Sequence, residues 1–215
     1  MHTESQILII DDHPSFVEGV SLLLQSIVPN INPLIAYNGK DALVLLKQHP
    51  DIDWIFLDIK MPDINGIELI KHFEKNKTLA NIVVMTSDNS PMIMDQVLKS
   101  NVSGFLSKDF DRQILSQAIE TIANGDVFLT SEHERQLKNY RETLLRERQS
   151  IEKAMSHRQQ DTLLLISKGY SNIEIAAHMG ISESTVKTHV STLMSLFEAD
   201  NRTHCVAEAQ RLHFI

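Results

Sequence analysis

Cysteine is almost missing from this chain. The 215 residues hold one, Cys205, which excludes an internal disulfide framework and a zinc site built on several thiolates. Ten histidines are present, but none shows the paired spacing of a zinc-binding helix, so they read as surface or packing residues. Long apolar runs are missing too. Nothing approaches the roughly 18 residues of a membrane span, and the N-terminus lacks the charged-then-apolar pattern of an export signal. A cytoplasmic protein with no membrane partner is expected. A basic excess is also absent, since the formal net charge is −8. That deficit is uneven. Residues 1–126 carry nine basic and seventeen acidic groups, residues 127–155 six and five, and residues 156–215 five and six.

The apolar fraction of 42% suffices for ordinary cores, and the length suits one large or two small domains. Ile7-Leu8-Ile9-Ile10-Asp11-Asp12 is a short apolar run that ends in two carboxylates. Such a run predicts a strand buried on both faces of a parallel sheet. Acids at its carboxyl end then stand where open α/β sheets bind ligands. Trp54-Ile55-Phe56-Leu57 ends the same way, on Asp58. Three carboxylates on one sheet edge repel each other unless a cation sits among them, and oxygen ligands with open positions suit Mg²⁺. Downstream strand ends add a hydroxyl, Thr86, and an ammonium, Lys108.

Strands are expected at Ile7–Ile10, Leu34–Tyr37, Trp54–Leu57, Ile82–Met85 and Gly104–Leu106. Stretches with helical period separate them, such as Phe16/Val20/Leu23/Leu24/Ile27 and Ile114/Leu115/Ala118/Ile119/Ile122. Five β-α units imply an α/β doubly wound parallel five-stranded domain over residues 1–126.

Residues 130–155 contain no Gly or Pro and read as one long helix. Residues 127–155 thus form a helical linker. Leu137, Tyr140, Leu144, Ile151 and Ala154 follow an a/d-like seam, broken at Glu147. The seam fits a coiled-coil dimer linker, or a spacer helix packed on one of the domains.

Residues 156–215 predict a small all-α domain with helices at 157–168, 172–179, 183–197 and 202–212. Ser156…Gln159 and Ser171…Glu174 are capping-box patterns, and Gly169 and Gly180 stand where helix C-terminal glycines belong. Two short helices around Gly180-Ile181-Ser182 predict a helix-turn-helix. Its expected core includes Leu164, Leu165, Ile173, Ile175, Ala176, Met179, Ile181, Val186, Val190 and Leu193.

Asp11-Asp12, then Asp58-Ile59-Lys60-Met61-Pro62-Asp63-Ile64-Asn65-Gly66, then Thr86, then Phe105-Leu106-Ser107-Lys108 together resemble the receiver domain of two-component response regulators. The resemblance covers residues 5–125. It implies that Asp58 takes a phosphoryl group from the phosphohistidine of a sensor histidine kinase. It also implies Mg²⁺ held by Asp12, Asp58 and the Lys60 carbonyl, with Asp11 acting through water. Lys108 and Thr86 would contact phosphoryl oxygens. Thr86 and Phe105 would form a switch, the ring turning inward and remodelling the face formed by residues 91–99, 104–106 and 111–124. Asp109 follows Lys108 where many receivers carry Pro. An enzyme reading fails on spacing. Haloacid-dehalogenase-like phosphatases need Asp-x-Asp, and here His13 follows Asp11 by two and Pro14 follows Asp12 by two.

Ser171-Asn172-Ile173-Glu174-Ile175-Ala176, Thr185-Val186-Lys187-Thr188-His189 and Asn201-Arg202-Thr203 resemble the LuxR/FixJ-type helix-turn-helix. That resemblance implies promoter DNA as a partner. Lys187, Thr188 and Ser191 would face the DNA, and Thr185 and Asn172 would reach phosphates. A homodimer through the linker helix, the C-terminal helix or both is expected. The charge opposes part of this reading, because phosphate contacts supply much of protein–DNA affinity and this domain is nearly neutral. Two functions stay open: phosphorylation-controlled DNA binding, or a receiver acting through protein contacts or as a phosphoryl sink, with a helix-turn-helix that has lost DNA binding.

Overall fold

The computed structural model describes residues 5–28 and 31–215. The chain divides between Lys138 and Asn139 into two compact units, and each is described by itself.

The first unit alternates strand and helix: β1 (Gln6–Ile10), α1 (Pro14–Ile27), β2 (Leu34–Ala36), α2 (Gly39–Gln48), β3 (Ile52–Asp58), α3 (Gly66–Lys75), β4 (Asn81–Thr86), α4 (Pro91–Leu98), β5 (Gly104–Ser107) and α5 (Arg112–Ala123). The strands form one parallel sheet in the order β2-β1-β3-β4-β5. Its centre is apolar on both faces because helices cover both. Ile7, Ile9, Trp54, Phe56, Val83 and Met85 pack toward α1 and α5, while Leu8, Ile10, Ile55, Leu57, Ile82 and Val84 pack toward α2, α3 and α4. Each such side chain contributes roughly 1.5–3 kcal/mol on burial. All five expected strands are present. β3 runs one residue further than expected and takes Asp58 into the ladder, opposite Met85.

Local chemistry places the helix starts. Asn38, Asn65 and Asp111 accept backbone N–H groups at the N-termini of α2, α3 and α5, which satisfies donors the helix cannot. The loop after Asp58 folds back tightly enough that the Gly66 N–H donates to Ile59 O at 2.9 Å. A Cβ at Gly66 would lie 2.5 Å from Asp58 O and 2.7 Å from the Ile59 Cα. No larger residue fits there without moving the backbone that presents Asp58.

The long helix α6 (Ser131–Ala154) starts in the first unit and ends in the second. Leu137 is buried in the first core, whereas Ile151, followed by Met155, is buried in the second. Of the expected seam, Leu137 and Ile151 are thus buried within the chain, while Ala154 at its end is exposed. The second unit continues with α7 (His157–Ser167), α8 (Asn172–Met179), α9 (Glu183–Leu196) and α10 (Arg202–Arg211). Both expected capping boxes form, at Ser156/Gln159 and Ser171/Glu174. Gly180 ends α8 at φ 64°, a left-handed conformation that favours glycine. Two expected core residues are not in the core. Leu164 is 47% exposed and Ile173 is 68% exposed. The buried face of α7 is Thr162, Leu163 and Ile166 instead, because the helical turn carries Leu164 to the opposite side.

Candidate functional site

Parallel pairing brings four strand ends to one edge. β1 delivers Asp11, fully buried, with Asp12 beside it; β3 delivers Asp58; β4 delivers Thr86, also fully buried. Thr86 lies opposite Ser107 in the ladder, and the Lys108 N–H donates to Thr86 O at 2.9 Å, so Lys108 leaves β5 aimed at the same edge. Its Nζ lies 2.6 Å from Asp58 Oδ2 and 2.7 Å from Asp11 Oδ2, and 4.7 Å from the centre of the Phe16 ring. One ammonium thus bridges two buried carboxylates from different strands. Asp58 Oδ1 accepts the Lys60 N–H at 3.0 Å, and Asp11 Oδ1 accepts the His13 N–H at 2.9 Å.

The electrostatics follow from burial. Loss of water raises the Asp58 carboxyl above its ordinary value, and the Lys108 ammonium and Lys60 N–H offset only part of that rise. Burial acts to lower the Lys108 ammonium, but hydrogen bonds to Asp11 and Asp58 outweigh it and hold the group above its ordinary value. Asp11 Oδ2 and Asp12 Oδ1 are buried without a well-directed hydrogen bond. The first faces Lys108, and the second faces His13 Nδ1 at 2.9 Å. Ligand atoms of Asp11, Asp12, His13 and Asp58 lie within 4.8 Å of one another. Under-satisfied carboxylate oxygens at this density fit a hard divalent cation such as Mg²⁺.

Thr86 Oγ1 accepts the Asp88 N–H at 3.0 Å. Asp88 also pairs with Lys60 Nζ at 3.1 Å, which ties the loop after β3 to the loop after β4. Phe105 is fully buried, and His133 of α6 meets its ring edge-on at 5.2 Å. The sequence reading did not single out His13, the Lys60–Asp88 pair or His133. His13 had a signal, because it directly follows the acid pair. His133 had none, since its neighbour Phe105 is far away in the chain.

In the second unit, α9 buries Val186, Val190 and Leu193 and leaves Thr185, Lys187, Thr188 and Ser191 exposed. Four of the five expected DNA-facing residues therefore share the outward side of one helix. Lys187 is paired with Glu183 at 2.9 Å. The Thr185 hydroxyl lies 2.8 Å from Ser182 Oγ, and Thr188 Oγ1 donates to Ser184 O at 3.1 Å. Asn172 stands apart at the start of α8. Its Oδ1 accepts from Arg202 Nη1 at 3.1 Å, and Arg202 also donates to the Tyr170 carbonyl. Arg202 thus locks α8 to α10, a role the sequence reading did not assign.

Both halves match family models. Residues 7–120 match the response regulator receiver domain, and residues 153–209 match the luxR family of bacterial regulatory proteins. The chain belongs to the two-component response regulators that join a receiver to a luxR-type DNA-binding domain, a family of transcription regulators rather than enzymes. Similar chains include the transcriptional regulatory protein DegU of Brevibacillus brevis, 30% identical, with 95% of this chain and 92% of the relative covered. The nitrate/nitrite response regulator NarL of Escherichia coli is 31% identical, with 91% and 90% covered. Among solved structures, response regulator ChrA of a heme-sensing two-component system superposes with a TM-score of 0.52 at 27% identity, covering 98% of each chain. RcsB of Salmonella typhimurium shares the fold at a TM-score of 0.60 and 22% identity, covering 97% of this chain and 98% of its own. No helix among the described residues is long and apolar enough to cross a membrane.

Proposed function

We propose that Asp58 accepts a phosphoryl group from the phosphohistidine of a sensor histidine kinase, and that this controls promoter binding by the second unit, in the cytoplasm. The observation that carries the reading is the shared ammonium: Lys108 Nζ lies 2.6 Å and 2.7 Å from carboxylates on two different strands. A carboxylate oxygen of Asp58 attacks phosphorus, the bond to the histidine nitrogen breaks, and an acyl phosphate remains. Charge develops on the equatorial oxygens, so the protein's task is positioning and electrostatics. Mg²⁺ held by Asp12, Asp58 and the Lys60 carbonyl, with Asp11 acting through water, would neutralise part of that charge. Lys108, released from Asp58, follows the new negative charge. Thr86 donates its hydroxyl hydrogen to another phosphoryl oxygen, while its oxygen can still accept the Asp88 N–H.

For DNA, the exposed side of α9 supports a major-groove contact by Lys187, Thr188 and Ser191, with Thr185 near a phosphate. Asn172 contributes by holding Arg202, and reaches a phosphate only if that bond opens. Lys187 must leave Glu183 to reach DNA, and the unit is nearly neutral, so one copy binds weakly. A homodimer, with α10 as the contact and the exposed side of α6 around Leu145 as an additional surface, raises the effective concentration. The same charge balance favours the second reading, a receiver acting on proteins with an output unit that has lost DNA binding.

The test has two arms. Transfer of labelled phosphate from a phosphodonor should mark the wild type and not Asp58→Ala. Labelling of that variant at the wild-type level removes the site assignment. Capture of fragmented genomic DNA by the full chain, with and without beryllofluoride and Mg²⁺ at two salt concentrations, should enrich a few fragments more strongly with the mimic. No enrichment in either state selects the second reading.

A further inference from the structure

β5 is the edge strand of the sheet, but its outer edge is occupied by its own chain. After α5 the backbone returns: the Phe128 N–H donates to Ser103 O at 2.9 Å, and the Phe105 N–H donates to Phe128 O at 3.0 Å. Gly104 and Phe128 form a parallel bridge. Phe128 is buried with the α1 and α5 side of the core, and Leu129 packs on the other side. The first turns of α6 then lie over Phe105. Thr130 Oγ1 accepts the His133 N–H at 3.2 Å, His133 packs edge-on against the Phe105 ring, and Leu137 is buried in the same cluster. Residues 127–138 are therefore a strap bound to the strand that ends next to Lys108.

Two features make this strap easy to release. His133 is 6% exposed, and its Nδ1 has no hydrogen-bond partner among the described residues. Such a group disfavours the docked state, and contact with water would relieve it. On its α5 side the strap borders an open cavity of about 390 Å³, lined by Ser107, Phe110, Ile114, His133 and Gln136 among others, rather than a packed surface.

We propose that this strap is the output element of the receiver, docked on β5 at rest and loosened when Asp58 carries a phosphoryl group. The proposal rests on the phosphoryl-acceptor reading above. Thr86 and Lys108 are joined by a backbone hydrogen bond and flank the carboxyl end of β5. Both are drawn toward the same new oxygens, so the end of β5 moves with them. Phe105 sits two residues before Ser107 on that strand, and its displacement removes the ring surface that His133 covers. The phosphoryl group then favours one of two arrangements of a packed element, which is what a population shift requires. The signal leaves through the chain's own helix, so no partner surface on β5 is needed.

Amide hydrogen exchange of the full chain, with and without beryllofluoride and Mg²⁺, tests this. Residues 130–138 should exchange roughly 3- to 10-fold faster with the mimic, as expected for a locally opening segment, while residues 86–90 respond at the site itself. A response at 86–90 without one at 130–138 overturns the proposal and leaves the acceptor reading intact. No response at either place removes both. His133→Leu fills similar space without the unpartnered nitrogen. It should hold the strap change below about twofold while 86–90 still responds. An undiminished change at 130–138 in that variant overturns the proposal as well.

Discussion

Lys108→Ala should make the first unit dependent on a divalent cation. Lys108 Nζ lies between Asp58 and Asp11 at 2.6 Å and 2.7 Å, and those residues are 2% and 0% exposed. Removing the cation leaves two buried carboxylates facing each other beside Asp12. Breaking a buried pair by deleting one partner costs about 3–5 kcal/mol. The lost contact with the Phe16 ring adds roughly 0.5–1 kcal/mol. Asp12 still reaches water, so the lower end applies, and we expect a loss of about 3 kcal/mol. For a unit of this size that lowers the melting temperature by roughly 10 °C. The chain has one tryptophan, Trp54, which is buried on β3 and stacked on Phe56. Its fluorescence therefore reports unfolding of the first unit and not of the second. In EDTA the variant should melt early, and saturating Mg²⁺ should restore most of the loss, because a cation among the carboxylates replaces the missing ammonium. A loss below about 1 kcal/mol in EDTA, the range of an exposed pair, would refute the reasoning. So would a loss that Mg²⁺ leaves unchanged.

Gly66→Ala should reduce acyl phosphate labelling sharply and lower the Trp54 melting transition, since its Cβ would lie 2.5 Å from Asp58 O; normal labelling would show that the loop adapts. Lys187→Ala should weaken DNA binding by about 1–3 kcal/mol with the receiver untouched; unchanged affinity in a gel shift at moderate salt would remove Lys187 from the DNA contacts. Burial holds the His133 imidazole below its ordinary value of 6.5, against the opposing pull of Asp109 and Glu132. The docked strap thus favours the neutral ring, so its stabilisation is complete above pH 6.5 and is lost as pH falls through the lower folded value. Exchange at residues 130–138 should speed up on acidification toward pH 5.5 relative to the rest of the first unit, and His133→Leu should abolish the difference.

Much of the site could be read from the chain because its residues stand where one kind of pattern stops. Asp11 and Asp12 end an apolar run, Asp58 ends another, and Thr86 and Lys108 sit at the ends of two more. A strand buried on both faces cannot continue through a charge, so the change of residue type marks the sheet edge. The capping boxes at Ser156 and Ser171 were equally legible, since a helix start depends on four consecutive residues. The contacts that cross the chain were not. Lys60 meets Asp88 and Arg202 meets Asn172, and neither pair has any signature in its local neighbourhood. Leu164 and Ile173 look like core residues by type, and only the face each helix turns inward leaves them in solvent.

The alternating sheet domain, the acid pair with its distant third carboxylate, and the helix-turn-helix were all legible in the chain. These follow from periodicity and from residues a few positions apart, whose physics is local. Which faces of α6 its own chain covers came from the fold alone. An apolar stripe along a helix records that something covers it, not whether the cover is a second copy or the chain itself. In the folded protein Leu137 is buried with Phe105, and Ile151 is buried in the other core. His133, a residue with no pattern around it, covers the ring of Phe105, because Phe128 pairs with the edge of β5 and carries the start of α6 over that strand.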